Sequence, residues 1–222
     1  MALLSDRDRE FVRKYFEENV KSTVTLHFFT QTLACETCRD AEALMQEVAS
    51  LCPRIQLKVL NRAIDTEETE RFGIDGVPAL VIVGAKDYGV RYFGIPSGLE
   101  FRSLMEDIAD VSRGESGLKD STKEVLKALN RKAHLQVFVT PTCPYCPIMV
   151  RLAHKAAIES DLVTADMIEA MEFPDLSARY EVMGVPKTIL NGEFAVEGAL
   201  PEEAFAEWLK KALDQEAAAA PS

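Results

Sequence analysis

Two Cys-x-x-Cys pairs, Cys35-Glu36-Thr37-Cys38 and Cys143-Pro144-Tyr145-Cys146, hold the chemistry this chain could do. Each is followed by a Gly-Val-Pro tripeptide, Gly76-Val77-Pro78 and Gly184-Val185-Pro186, and 43 positions separate Cys35 from Pro78 and Cys143 from Pro186. The constellation therefore repeats with an offset of 108 residues. A thiolate is the attacking species in disulfide exchange, and a second thiol one helical turn away can resolve the mixed disulfide that the first one forms. Unpaired amides and the helix dipole lower the pKa of a cysteine at a helix N-terminus. Cys35 and Cys143 are accordingly expected at helix starts, with Cys38 and Cys146 one turn further along the same face.

Other chemistries fit the spacing less well. Four thiolates can hold zinc, but 104 residues lie between Cys38 and Cys143, against roughly 15–20 between paired Cys-x-x-Cys ligands in zinc sites. A purely structural disulfide is the other bland reading, stronger for Cys35 and Cys38. Cys52 lies 14 residues beyond Cys38, about 21 Å along a continuous helix, and is expected to be a buried, unreactive thiol. His154 stands 11 residues from Cys143, about 16 Å along a helix, so a Cys-His nucleophile pair fails on distance. His27 reads as a satisfied histidine in a central strand.

The elements that must position these residues alternate between strand and helix. Ser5 caps a first helix of about three turns containing Phe11, Val12, Tyr15 and Phe16. Val24 to Phe29 reads as a central strand, and Cys35 opens a helix with Ala41, Leu44, Met45 and Val48 that Pro53 ends. Ile55 to Leu60 is a second strand, Thr66 caps a short acidic helix through Phe72, and Ala79 to Val83 and Tyr88 to Phe93 pair as strands. Ser97 or Gly98 starts a helix through Val111, and Ser112 to Gly117 is a polar boundary. The order then repeats, with a strand Leu135 to Val139, the second dithiol helix, a strand near Leu162 to Ile168, and a closing helix with Phe205, Trp208 and Leu209. Asn191-Gly192 is a two-residue hairpin signal, with a longer turn expected at the same place in the first half, and disorder is expected from Ala217 to Ser222. Two copies of helix-β-α-β-α-β-β-α make an α/β fold of two tandem units, 1–117 and 118–222. The sheet must be partly parallel, because a βαβ crossover joins the first two strands of each unit.

Bulk properties narrow the partners. The 222 residues suit two domains of common size, and 47% hydrophobic residues supply an ordinary core. A formal charge of −11 argues against nucleic acid, whose recognition needs clustered Lys and Arg. Apolar runs fall short of the roughly 18 residues that span a membrane, and Met1 to Glu10 does not read as a secretory signal. A cytoplasmic location follows as the expectation, and in that reducing compartment paired cysteines are more often catalytic than structural.

A Cys-x-x-Cys between a first strand and a helix, with Val-Pro before the third strand, resembles the thioredoxin and glutaredoxin superfamily in both halves. Cys143-Pro144-Tyr145-Cys146 and the residues around it, with Arg151, His154 and Lys155, are similar to the two-unit, glutaredoxin-like protein disulfide oxidoreductases. The resemblance covers residues 5 to 213. It implies that Pro78 and Pro186 are cis prolines beside their dithiols and that the two thioredoxin-like units join edge to edge in one continuous mixed sheet. The Trp-Cys-Gly-Pro-Cys signature of thioredoxin is absent, and Phe29 and Val137 stand where thioredoxin has a buried carboxylate.

The expected function is thiol-disulfide exchange on protein disulfide substrates. Cys143 attacks, Cys146 resolves, and Cys35 with Cys38 repeats the chemistry at another redox poise. Tyr145 and the Val77-Pro78 and Val185-Pro186 backbones form the substrate-binding edge, which an extended segment could join as an added strand. No cofactor beyond the protein's own dithiols and no metal is expected. By resemblance, thioredoxin reductase is an electron donor and peroxiredoxins are acceptors. Two rivals remain: a dedicated relay between a flavin reductase and a peroxiredoxin, similar to the two-unit segment of alkyl hydroperoxide reductase flavoproteins, and a non-enzymatic peptide-binding chaperone module.

Overall fold

The computed structural model describes residues 3–219. The first unit runs α1 (Asp6–Asn19), β1 (Val24–Thr30), α2 (Cys38–Ser50), β2 (Ile55–Asn61), α3 (Thr66–Phe72), β3 (Ala79–Val83), β4 (Asp87–Phe93) and α4 (Glu100–Arg113). The second repeats the order as α5 (Asp120–Lys127), β5 (Ala133–Val139), α6 (Cys146–Glu159), β6 (Val163–Glu169), α7 (Pro174–Arg179), β7 (Lys187–Leu190), β8 (Phe194–Glu197) and α8 (Glu202–Ala219). The tandem α/β reading holds element by element.

All eight strands form one mixed sheet in the order β2-β1-β3-β4-β6-β5-β7-β8. Within each unit the first two strands pair parallel and the rest antiparallel. The units join where β4 meets β6 in parallel, from Val90 opposite Ala165 to Phe93 opposite Ile168. Strand side chains alternate between two cores, as a period of two requires. Leu26, Phe28, Leu80 and Ile82 face the large core that takes α1, α2, α4, α5, α6 and α8. Phe29, Ala79, Val81 and Phe93 face the smaller core, where Phe72 of α3 and Leu176 of α7 pack.

Across the junction, α4 of unit one packs on α6 of unit two. Its seam is ionic and largely buried. Asp107, fully buried, receives the Tyr92 hydroxyl, pairs with Arg151, and lies 2.6 Å from His154 Nδ1. Arg151 also pairs with Asp110 and, at 3.2 Å, with Glu106. Charges this deep persist only when paired, so the seam ties the two units through the register of these two helices.

Several local expectations are corrected. α1 is 14 residues long, closer to four turns than three, with Ser5 Oγ accepting from Asp8 N as expected. The N-cap of α3 is Asp65, not Thr66, because Thr69 N donates to Asp65 O. α4 begins at Glu100 rather than Ser97 or Gly98, since Gly98 sits at φ 59° and breaks the helical run. Asn191 and Gly192 both take positive φ, but Leu190 pairs with Phe194, so the loop has three residues, 191–193. The turn in unit one is no longer than this, because Val83 pairs with Asp87 across 84–86. Helix α8 continues through Ala219, where alanine favours it, and the rest of the expected disordered end lies outside the described residues. Among the described residues no helix is long and apolar enough to cross a membrane.

Candidate active sites

Each Cys-x-x-Cys spans a loop and the first turn of a helix, not two turns of helix. The first i→i−4 bond of α2 runs from Ala41 N to Thr37 O, so Thr37 is the N-cap, Cys38 the first helical residue, and Cys35 stands in the preceding loop. α6 likewise starts at Cys146 with Tyr145 as its N-cap. Cys35 and Cys143 are thus just outside the helices expected to begin with them. For the same reason the proline in the first turn of α6 is Pro147, where the missing amide hydrogen costs nothing, and Pro144 lies in the loop.

Cys35 is bonded to Cys38 and Cys143 to Cys146, each pair with Cα atoms 5.5 Å apart. The second cysteines are buried, at 3% exposure for Cys38 and 0% for Cys146, and the first are more open, with Cys35 half-buried and Cys143 at 8%. The apolar face of α2, through Ala41, Leu44, Met45 and Val48, holds its dithiol at the end of the sheet. Met149, Val150 and Ala153 do the same in α6.

Unit two shows the site geometry most directly. Neither N-cap side chain bonds the helix, but Cys143 Sγ fills that role, accepting from Cys146 N at 3.1 Å. The same sulfur lies 3.7 Å from the Val185 carbonyl oxygen. Both Val77-Pro78 and Val185-Pro186 peptides are cis, as the resemblance implied. Pro78 and Pro186 are buried, while Val77 and Val185 remain half-buried. Tyr145, Ile148 and Met183 are exposed at 62%, 46% and 93%, giving this dithiol an apolar rim. The offset of 108 places Glu36, Thr37 and Asp75 in unit one where unit two has Pro144, Tyr145 and Met183, so the first site has a polar, acidic rim.

Three features escape sequence reasoning. Glu100, at the start of α4, is 1% exposed with no hydrogen-bond partner for either carboxyl oxygen. Burial pushes its pKa up to about 7, with the nearby Ser103 hydroxyl and His154 pulling the other way. It is next to Leu99, whose N–H donates to Pro141 O in the loop that leads to Cys143, at 3.0 Å. Glu172 of unit two accepts from the Thr37 hydroxyl inside the Cys35 motif. The Asp107 seam is the third. The signal that could have found Glu100 and Asp107 is a row of polar residues, Glu100, Ser103, Asp107 and Asp110, on the same helical stretch as Leu104, Ile108 and Val111. Burial similarly raises Asp110 to about 6. His27 is not the satisfied histidine expected: its ring lies 5.0 Å from Phe72 and its Nδ1 has no partner. Cys52 is free and buried.

Comparison with known proteins places this arrangement. The Thioredoxin domain family matches residues 133–210. A protein disulfide oxidoreductase from Aeropyrum pernix superposes with a TM-score of 0.88 and 35% identity, covering 95% of this chain and 94% of that one. The chain belongs to the protein disulfide oxidoreductases of the thioredoxin superfamily.

The alkylhydroperoxide reductase protein AhpF from Enterococcus faecalis is also similar to this chain, with a TM-score of 0.86 and 27% identity over 93% of this chain and 99% of that one. Its counterpart in the alkyl hydroperoxide reductase of Staphylococcus aureus is 29% identical over 160 residues. That match takes in 71% of this chain but only 29% of the relative, so the chain spans less than a third of the curated relatives it matches.

Proposed function

We propose that this chain exchanges electrons with protein disulfides, Cys143 attacking and Cys146 resolving, with the Cys35/Cys38 pair as a second dithiol in its own unit. We take 1–117 and 118–222 as the units. The observation that carries the reading is the position of Cys143 Sγ, 3.1 Å from the first helical amide of α6 and 3.7 Å from the Val185 carbonyl. One contact stabilises a thiolate, and the other puts the sulfur beside a backbone edge that a substrate segment can join.

In the reducing direction the Cys143 thiolate attacks one sulfur of a substrate disulfide and expels the other, which takes a proton. Cys146, deprotonated, then attacks Cys143 Sγ and releases the second substrate thiol. Two electrons and two protons pass to the substrate, leaving the Cys143–Cys146 disulfide that the structure contains. Val185 and Pro186, like Val77 and Pro78 in unit one, present the pairing edge, and Tyr145 offers an aromatic surface beside the sulfur. Because such pairing reads backbone, the substrate range is broad. The setting that suits catalytic paired cysteines is a reducing compartment, the cytoplasm.

A second reading is favoured by the similarity to AhpF and the other alkyl hydroperoxide reductase relatives: a relay that takes electrons from a flavin enzyme such as thioredoxin reductase and delivers them to a peroxiredoxin. Insulin reduction with dithiothreitol separates the readings. The intact protein and Cys35→Ser should precipitate insulin B chain, and Cys143→Ser should lose most of the rate. An intact protein that leaves insulin oxidised, while accepting electrons from a flavin reductase, would replace the first reading with the second.

A further inference from the structure

The two dithiols are not equally approachable by a polypeptide, and the difference comes from one corner of unit two. Three backbone segments correspond between the units: the N-cap loop of the dithiol helix, the Gly-Val-Pro turn, and the glycine that leaves the fourth strand. Gly94 N donates to Pro78 O at 2.9 Å in unit one, and Gly198 N donates to Pro186 O at 2.8 Å in unit two, so the frames correspond. In unit one all three segments touch the connection between β6 and α7. Glu172 accepts from the Thr37 hydroxyl with one carboxylate oxygen and from Ile95 N, at 2.7 Å, with the other. A side chain on Gly94 would meet that carboxylate, and one on Gly76 would meet the Phe173 ring at 2.5 Å. Gly184, the counterpart of Gly76, has nothing within 4 Å of the same point.

We propose that Glu172 and Phe173 form a selectivity wall across the Cys35/Cys38 groove, closing it to extended protein segments and leaving it open to small-molecule disulfides. An added strand beside Val77 needs free backbone donors and room on both flanks. Here the Ile95 donor and the Thr37 hydroxyl are already engaged, and the Gly76 flank is filled by an aromatic ring that Phe93 holds edge-on with centroids 5.9 Å apart. Cys35 is nonetheless half-buried rather than covered, so a compact disulfide such as cystine reaches it. The exchange is the same in either unit: Cys35 bonds to one half-cystine and releases the other as a thiol, then Cys38 closes the Cys35–Cys38 disulfide and releases the second, transferring two electrons per dithiol. Unit two thus handles protein disulfides and unit one handles small ones. The inference rests on the thiol-disulfide reading above.

The test uses the full chain carrying Cys143→Ser and Cys146→Ser, reduced with dithiothreitol, freed of it, and mixed with cystine or with insulin. The remaining dithiol is counted by alkylation and mass. Unit one should be oxidised by cystine and only slowly by insulin. Adding Glu172→Ala with Phe173→Leu should raise the insulin rate about fivefold or more, the worth of one regained backbone hydrogen bond, and leave the cystine rate unchanged. If the double change does not fold, Glu172→Ala alone serves. Glu172→Gln, which keeps an acceptor for Ile95, should stay closed. Equal insulin rates with and without the wall, opening by Glu172→Gln as large as by Glu172→Ala, or no oxidation by cystine would each overturn the proposal. A Cys35→Ser/Cys38→Ser chain run in parallel reports on unit two. If it too leaves insulin oxidised, the thiol-disulfide reading itself has failed rather than the wall.

Discussion

Replacing Glu100 with glutamine should stabilise the protein at and above neutral pH and leave it nearly unchanged in acid. The carboxyl is 1% exposed, neither oxygen has a partner, and its pKa is raised from 4.5 to about 7. The pKa moves upward, so the folded protein holds a proton that the unfolded chain gives up. Below about pH 4 both states are protonated and there is no penalty. Between 4.5 and about 7 the unfolded chain ionises alone, and stability falls as pH rises, levelling off above the folded pKa. At about 1.36 kcal/mol for each tenfold change in proton affinity, the total comes to roughly 3 kcal/mol. Glutamine has the same shape and does not titrate, so it removes this slope. Urea denaturation of oxidised wild type and Glu100→Gln, from about pH 4 to about pH 8, gives the difference directly, and subtraction cancels Asp110 and the other titrating groups. A difference that grows from near zero in acid to about 2–3 kcal/mol at pH 8 is expected. A difference independent of pH would mean that folding leaves the Glu100 pKa unshifted, and a variant that loses stability relative to wild type as pH rises would mean that Glu100 is held ionised in the fold; either result refutes the desolvation argument.

Two more outcomes follow from the geometry. Cys143 should have a lower thiol pKa than Cys35, because Cys146 N already donates to its sulfur while the Glu36 and Glu172 carboxyl groups stand at the Cys35 motif. The pH dependence of alkylation rate in single-dithiol variants measures this, and equal or reversed values would contradict it. Asp107→Ala should cost about 3 kcal/mol or more in denaturant unfolding, since it leaves Arg151 and the buried His154 ring without their shared partner, and a loss under 1 kcal/mol would mean Asp110 and Glu106 suffice.

Much of this molecule is legible from residue types and spacing. Cys35, Cys38, Pro78 and their counterparts mark the candidate sites, because dithiol chemistry needs few residue types and each leaves a distinct trace in the chain. The strands at Val24, Ile55 and Ala79 declare themselves through β-branched and aromatic runs, and α2 and α6 through their apolar faces. Spacing alone places the helix starts three residues early at both dithiols. A cysteine in the loop and a cysteine in the first turn have the same spacing whether or not the helix has begun, and only the first backbone bond, Ala41 to Thr37, tells them apart. The cap of α3 is ambiguous for a similar reason: Asp65 and Thr66 both suit that position, and backbone dihedrals choose between them.

The repeat of 108 residues, the pairing of each dithiol with a distant Val-Pro, and the tandem α/β architecture are properties of the sequence by itself, since they follow from residue identity, local periodicity and separation along the chain. Tertiary structure alone decided how the surroundings of the two copies differ. Glu172 meets Thr37 across 135 residues, Asp107 meets His154 across 47, and Glu100 becomes a high-pKa acid through burial between packed helices. No local propensity encodes those contacts. They arise because β4 and β6 pair edge to edge, which brings side chains of one unit against the active-site loops of the other and takes carboxyl groups out of water.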